Sequence, residues 1–197
     1  MTSGAGVIAF PLVAGTITRK AGQLGQPKCC RNQGTGTVEA RKILVVEDNP
    51  TDRALLLRAM KKCGITNPVI TAKDGFEAIQ WLFGFGRFES RDLADLPAIV
   101  LIDLNLPKLD GLEVLRRMRA DYRTKLIPVA IFTSSVDEQD LINGYSLGAN
   151  SYVRKPIEFS KFSKIVEQLI RYWCELNEPP PPGERIWAHH FGRQQPA

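Results

Sequence analysis

Five short apolar runs, each followed by a stretch of helical pattern, constrain this 197-residue chain more than any other feature. They are residues 42–46 (Lys-Ile-Leu-Val-Val), 69–72, 98–102, 128–132 and 151–153. The runs at 42–46, 98–102 and 128–132 show almost no alternation with polar residues, so both faces of each strand must be covered. The intervening stretches carry helix punctuation. Asn49-Pro50-Thr51-Asp52 supplies an N-cap, a proline at the first helical position and an acid in the first turn, and Gly64 stops that helix after about Cys63. Asp74 with Glu77 begins a second helix, through Phe83, in the manner of a capping box. A polar loop fills 84–97, and a third helix is predicted from about Leu112 to Ala120. Ser135 with Glu138 predicts the start of a fourth, to about Leu147, and a fifth spans about 159–176. Strand and helix alternating five times predict an α/β fold: a doubly wound parallel sheet with helices on both faces.

Ligands of such sheets bind beyond the carboxyl ends of the strands. The first strand ends in Glu47-Asp48, and the third in Asp103 with Asn105 two residues on. Thr133 closes the fourth, and Lys155-Pro156 follows the fifth. Three carboxylates, a hydroxyl and an ammonium therefore converge on one rim. Crowded carboxylates repel, and a hard divalent ion with oxygen ligands relieves them, Mg²⁺ being the usual ion where phosphate is also bound. With that charge neutralised, Asp103 is a nucleophile for a phosphoryl group, Lys155 stabilises the transferring oxygens, and Thr133 donates a hydrogen bond to them.

Taken in order, Glu47-Asp48, Asp103 followed by Pro107 and Gly111, Thr133, Gly148-Ala149, Tyr152 and Lys155-Pro156 resemble the receiver domains of two-component response regulators. The resemblance covers residues 41–176. It implies a flavodoxin-like (βα)5 fold with strand order 2-1-3-4-5, and a sensor histidine kinase as phosphoryl donor. It implies further that Asp48, Asp103 and the backbone carbonyl of Asn105 hold the metal directly, with Glu47 reaching it through water. Lys155-Pro156 would be a cis peptide, and Thr133 and Tyr152 would be paired switch residues. A second reading of Tyr152 is a half-buried strand aromatic that only packs. The loop from Arg87 to Pro97, the segment 104–107 and Tyr172-Trp173 resemble those of small stand-alone regulators paired with bacterial phytochromes.

Other functions fit less well. Phosphohydrolases with an aspartyl nucleophile usually carry a second Asp two residues later as general acid. Asn105 occupies that position and cannot transfer a proton, so the expected chemistry is self-phosphorylation and slow autodephosphorylation, without turnover of other substrates. A structural pseudo-receiver would normally have lost one of the acids or the lysine, and none is lost.

The net charge of +5 raises the question of nucleic acid. Residues 1–40 contribute +3, while residues 41–176 hold 20 basic and 18 acidic side chains. The excess sits in an arm and not on a reading face, so no specific nucleic-acid binding is expected. Residues 1–40, rich in Gly, Thr and Gln, read as a disordered arm, and residues 177–197, with Pro179 to Pro182, as a proline-rich tail. No output domain is expected. The sequence contains no membrane-length apolar run and no signal-peptide pattern, and Cys29, Cys30, Cys63 and Cys174 lack metal or disulfide spacing, so a cytoplasmic protein is expected. The last helix offers more apolar residues, Trp173 and Leu176 among them, than one stripe can bury. That excess predicts a homodimer through the C-terminal helix region, unless Trp173 folds back beneath Pro179 to Pro182.

Overall fold

The computed structural model describes residues 40–180. The arm (but for Ala40), most of the proline-rich tail, and Cys29, Cys30, His189 and His190 lie outside the described residues. Five parallel strands form one sheet: β1 (Ile43–Val46), β2 (Val69–Ala72), β3 (Ile99–Ile102), β4 (Val129–Thr133) and β5 (Ser151–Arg154). Their order is β2-β1-β3-β4-β5, the expected flavodoxin-like arrangement. The connecting helices are α1 (Pro50–Lys62), α2 (Gly75–Phe83), α3 (Gly111–Ala120), α4 (Glu138–Ser146) and α5 (Phe159–Arg171).

Alternation along the strands splits the core into two layers. Leu44, Val46, Val100, Ile102, Val129 and Ile131 face α2 and α3, where Trp81, Leu82, Leu115 and Met118 cover them. Ile43, Val45, Ile99, Leu101, Ala130 and Phe132 face α1 and α5, meeting Leu56, Met60, Phe162 and Val166. No helix among the described residues is long and apolar enough to cross a membrane.

Local chemistry explains where the helices start. Asn49 Oδ1 accepts from the amides of Thr51 and Asp52, as its sequence position predicts. Asp74 Oδ1 accepts from Glu77 N, and Glu77 Oε2 accepts in return from Lys73 N, one residue ahead of the usual capping box. α3 starts one residue earlier than expected because Asp110 caps it, accepting from Glu113 N. The cap of α4 is Asp137 and not Ser135: Asp137 accepts from Gln139 N, while the Ser135 hydroxyl donates to Asp140. The fifth helix is not uniform either. It stops being α-helical at Arg171 and continues as a π-helical turn, Tyr172–Leu176, closed by a bond from Asn177 N to Tyr172 O. The expected cis peptide at Lys155-Pro156 is absent, since no described peptide bond is cis.

Gly111 is needed for space. A Cβ there would lie 2.2 Å from the carbonyl oxygen of Asp103, a backbone atom that cannot move aside without displacing the strand end. Gly111→Ala is expected to destabilise the protein by about 1–3 kcal/mol, read as a lower urea midpoint at unchanged m-value.

Candidate functional site

The carboxyl ends of β1, β3, β4 and β5 bring the expected residues together. Lys155 is the centre. Its side chain is only 6% exposed, and its ammonium donates to Asp103 Oδ2 at 2.6 Å, Glu47 Oε2 at 2.7 Å and Asp52 Oδ2 at 3.2 Å. All three ammonium protons are thereby engaged. The backbone fixes this reach: Lys155 N donates to Thr133 O at 2.7 Å, extending the β4–β5 ladder past its last residue pair.

Each acid is positioned by its own strand. Asp103 N donates to Val46 O, and Glu47 N to Ala72 O, so both residues continue the sheet before the chain turns away. Asp103 Oδ1 accepts from Leu104 N at 2.6 Å and Asn105 N at 3.4 Å. Asn49 N reaches Glu47 Oε1, and Arg53 Nη1 holds the Glu47 carbonyl at 2.8 Å. Glu47 and Asp103 are buried, while Asp48 and Asn105 are exposed at the mouth. Glu47, Asp48 and Asp103 can each place a carboxylate oxygen within 4.8 Å of the others.

The electrostatics are those of an under-neutralised cluster. Burial pushes the Glu47 carboxyl above its ordinary range; the Lys155 hydrogen bond opposes this, and the charges of Asp103 and Asp52 add to it. For Lys155, burial works against the charged form, but its hydrogen bonds to Asp103 and Glu47 outweigh it and hold the ammonium well above the usual lysine range. Glu47, Asp48 and Asp103 form a donor set that fits a hard divalent cation: all-oxygen, anionic and open on the Asp48 side.

Thr133 is fully buried, its hydroxyl oxygen accepting from Ser135 N at 3.2 Å. Tyr152 is half-buried against the α2–α3 layer, with its hydroxyl enclosed and without a hydrogen-bond partner. Burial pushes the Tyr152 phenol up, and Ser135 lies near enough to oppose that shift. Asp52 is the residue that sequence reasoning missed. It stands four residues after Asp48, in the first turn of a helix that begins at a strand end, and that spacing was its only signal. Beside Lys155 a cleft of about 230 Å³ opens, lined by Asp52, Leu55, Ser134, Ile157 and Phe159 among others.

A sheet of this order with these residues at its strand ends defines a receiver-type domain. The family model "Response regulator receiver domain" matches residues 43–167, and the chain belongs to that family. Among curated relatives it is 38% identical over 140 residues to the probable methanogenesis regulatory protein FilR2 of Methanothrix harundinacea, covering 71% of this chain and 88% of that one. It is 35% identical over 133 residues to response regulator Rcp1 of Synechocystis, covering 68% and 88%. The phosphorylated cyanobacterial phytochrome response regulator RcpA superposes with a TM-score of 0.67 at 34% identity, over 72% of this chain and 99% of that one. A Mn²⁺-bound form of Rcp1 gives 0.66 at 34%, over 72% and 99%. The bacteriophytochrome response regulator AtBRR gives 0.58 at 48%, over 71% and 99%.

The burial of Glu47, with the charges of Asp103 and Asp52 adding to it, predicts a pH effect. Because the folded protein holds the Glu47 proton more tightly than the unfolded chain does, stability falls as pH rises from the ordinary value of 4.5 through the raised one. Denaturation of the metal-free protein across that window should show this decline, and Glu47→Gln should flatten it.

Proposed function

We propose that this chain is a phosphorylation-dependent signalling switch in which Asp103 accepts a phosphoryl group from a phosphohistidine on a sensor histidine kinase. The observation that carries the reading is the Lys155 ammonium, bonded at once to Asp103 and Glu47 in a buried cluster that remains net negative. The donor set suits Mg²⁺, which Asp48, Asp103 and the backbone carbonyl of Asn105 would hold, with Glu47 reaching it through water. When bound it neutralises the acids and the phosphoryl oxygens. The Mn²⁺-bound form of Rcp1 supports this metal chemistry, and the phosphorylated form of RcpA supports the phosphoryl chemistry.

A carboxylate oxygen of Asp103 attacks phosphorus, and the P–N bond to the donor imidazole breaks with its electron pair leaving on nitrogen. Lys155 moves its hydrogen bond from the carboxylate toward the incoming phosphoryl oxygens, compensating charge where it develops. The Thr133 hydroxyl turns to donate to a phosphoryl oxygen, with Tyr152 as its partner in the switch. Asn105 offers no acid, so the protein acts only on its own phosphorylation state and is not a phosphatase for other substrates. The donor approaches over the cleft beside Lys155, where Ile157 is fully exposed and Phe159 partly so. The names of RcpA and AtBRR favour a phytochrome-type kinase acting in the cytoplasm.

Acetyl phosphate with Mg²⁺ should label the wild type once. Asp103→Asn should take no label by mass spectrometry, and equal labelling of that variant would sink the assignment.

We further propose that two copies pair about a two-fold axis through the C-terminal helix region. Trp173 lies half-buried against the protein's own α1–α5 layer, which leaves Tyr172 and Leu176, 50% and 77% exposed, as the apolar surface on offer. Sedimentation should show a dimer for the wild type and a monomer for Leu176→Glu. Monomers in both, with and without phosphorylation, would end the proposal.

A further inference from the structure

Lys108 is the only residue other than glycine with a positive φ, +66°, among the described residues. The left-handed region disfavours a side chain with a Cβ, and glycine is its usual occupant. Lys108 holds this conformation with its ammonium turned toward the β2–α2 junction. That ammonium lies 2.6 Å from Asp74 Oδ2, and the Asp74 side chain is only 3% exposed. The other Asp74 oxygen is committed to the cap of α2. Among the described residues Lys108 is the cation that pairs with this buried carboxylate, which would otherwise lack a counter-charge in the interior.

The pair joins two elements 34 residues apart: the β2–α2 junction and the loop from Leu104 to Asp110 that carries Asn105 and leaves directly from Asp103. The contact is close along its length. A Cβ on Gly75 would lie 2.0 Å from the carbonyl oxygen of Leu109. Inside the loop, Leu106 N donates to Leu104 O, Leu109 N to Pro107 O and Gly111 N to Leu104 O. These bonds shape the loop, while the Lys108–Asp74 pair ties that shape to a neighbouring part of the sheet.

We propose that Lys108 and Asp74 are positioning residues: their ion pair fixes the loop that presents Asp103 and the Asn105 carbonyl, and so sets the affinity of the acidic cluster for a divalent cation. The inference rests on the metal site of the proposed function. A loop held in place loses less conformational freedom when its oxygens are fixed by a cation, and releasing the loop weakens binding without removing any ligand.

Mn²⁺ titration of the full chain, read by the electron paramagnetic resonance of the free ion, tests this. Lys108→Met and Lys108→Gly should each bind Mn²⁺ about tenfold more weakly than wild type. Glycine suits the left-handed backbone, so its failure isolates the ammonium. Lys108→Arg should restore near-wild-type affinity. Val166→Ala, which lowers stability from the opposite core layer, should leave affinity unchanged. Phosphorylation by acetyl phosphate should slow in the two weak variants at low Mg²⁺ and recover at saturating Mg²⁺. Equal Mn²⁺ affinity in wild type and the Lys108 variants would overturn the inference, as would a loss no larger than that of Val166→Ala. A wild type that binds no Mn²⁺ would instead overturn the metal site of the proposed function, and this inference with it.

Discussion

The ammonium of Lys155 is the interaction on which the rest of the site depends. Parallel strands end on one edge of a sheet, so a chain that places acids at two neighbouring ends cannot avoid bringing them together. At separations near 4 Å a like-charge pair costs on the order of 4 kcal/mol in a medium of effective dielectric about 20. One buried ammonium at 2.6–2.7 Å from two of the acids offsets the nearest repulsions. It cannot neutralise Asp48 and Asp52 as well. The fold therefore holds together around Lys155 and still leaves a negative mouth, and the Glu47 carboxyl, raised chiefly by burial, is raised further by the charges of Asp103 and Asp52.

The parts of this arrangement that were legible in the sequence are those that follow from burial on both faces of a strand. Runs such as 98–102 reveal a strand without any alignment, and the polar residue that ends each run then falls at the sheet edge. Glu47, Asp103 and Thr133 were found that way, and Lys155 by its place just after the fifth run. Asp52 was not, because its position in the first turn of α1 is equally explained by the helix dipole, and only the fold brings it to a lysine 103 residues away. Lys108 and Asp74 were hidden for the same reason: neither the left-handed turn nor the cross-loop pair leaves a local pattern. The cap of α4 was misplaced because Ser135 and Asp137 are both good caps two residues apart, and the competing bond from Ser135 to Asp140 is a tertiary outcome. The π-helical turn after Arg171 likewise has no signature in apolar periodicity.

The helices are held against the sheet unequally. α1, α2, α3 and α5 each bury three or more residues, whereas α4 buries Gly144 alone. Even that contact depends on the missing side chain, since a Cβ would meet Ile131 Cδ1 at 2.6 Å and the Tyr152 ring at 3.3 Å. At its far end α4 is retained by Arg119, whose guanidinium donates to Gly148 O and Asn150 Oδ1. At its near end the tie is the 2.6 Å bond from the Ser135 hydroxyl to Asp140. With so little apolar surface committed, α4 is the helix whose displacement exposes least of the core.

That inequality gives the proposed switch a route. Thr133 Oγ1 accepts from Ser135 N, and Ser135 in turn holds Asp140 on α4, so Thr133 is two hydrogen bonds away from the least anchored helix. A phosphoryl group on Asp103 would need the Thr133 hydroxyl to reorient as a donor, and the bond from Ser135 N would have to adjust with it. The ring of Tyr152, on neighbouring β5, packs against Gly144 of α4 and its hydroxyl is enclosed and unpartnered, so space released on one side can be taken up on the other. The coupling asks for no movement in the α1–α5 layer. A charge change at the sheet edge would then be read at α4 and β5, while the two core layers, and with them the positions of Asp103 and Lys155, stay as the sheet sets them.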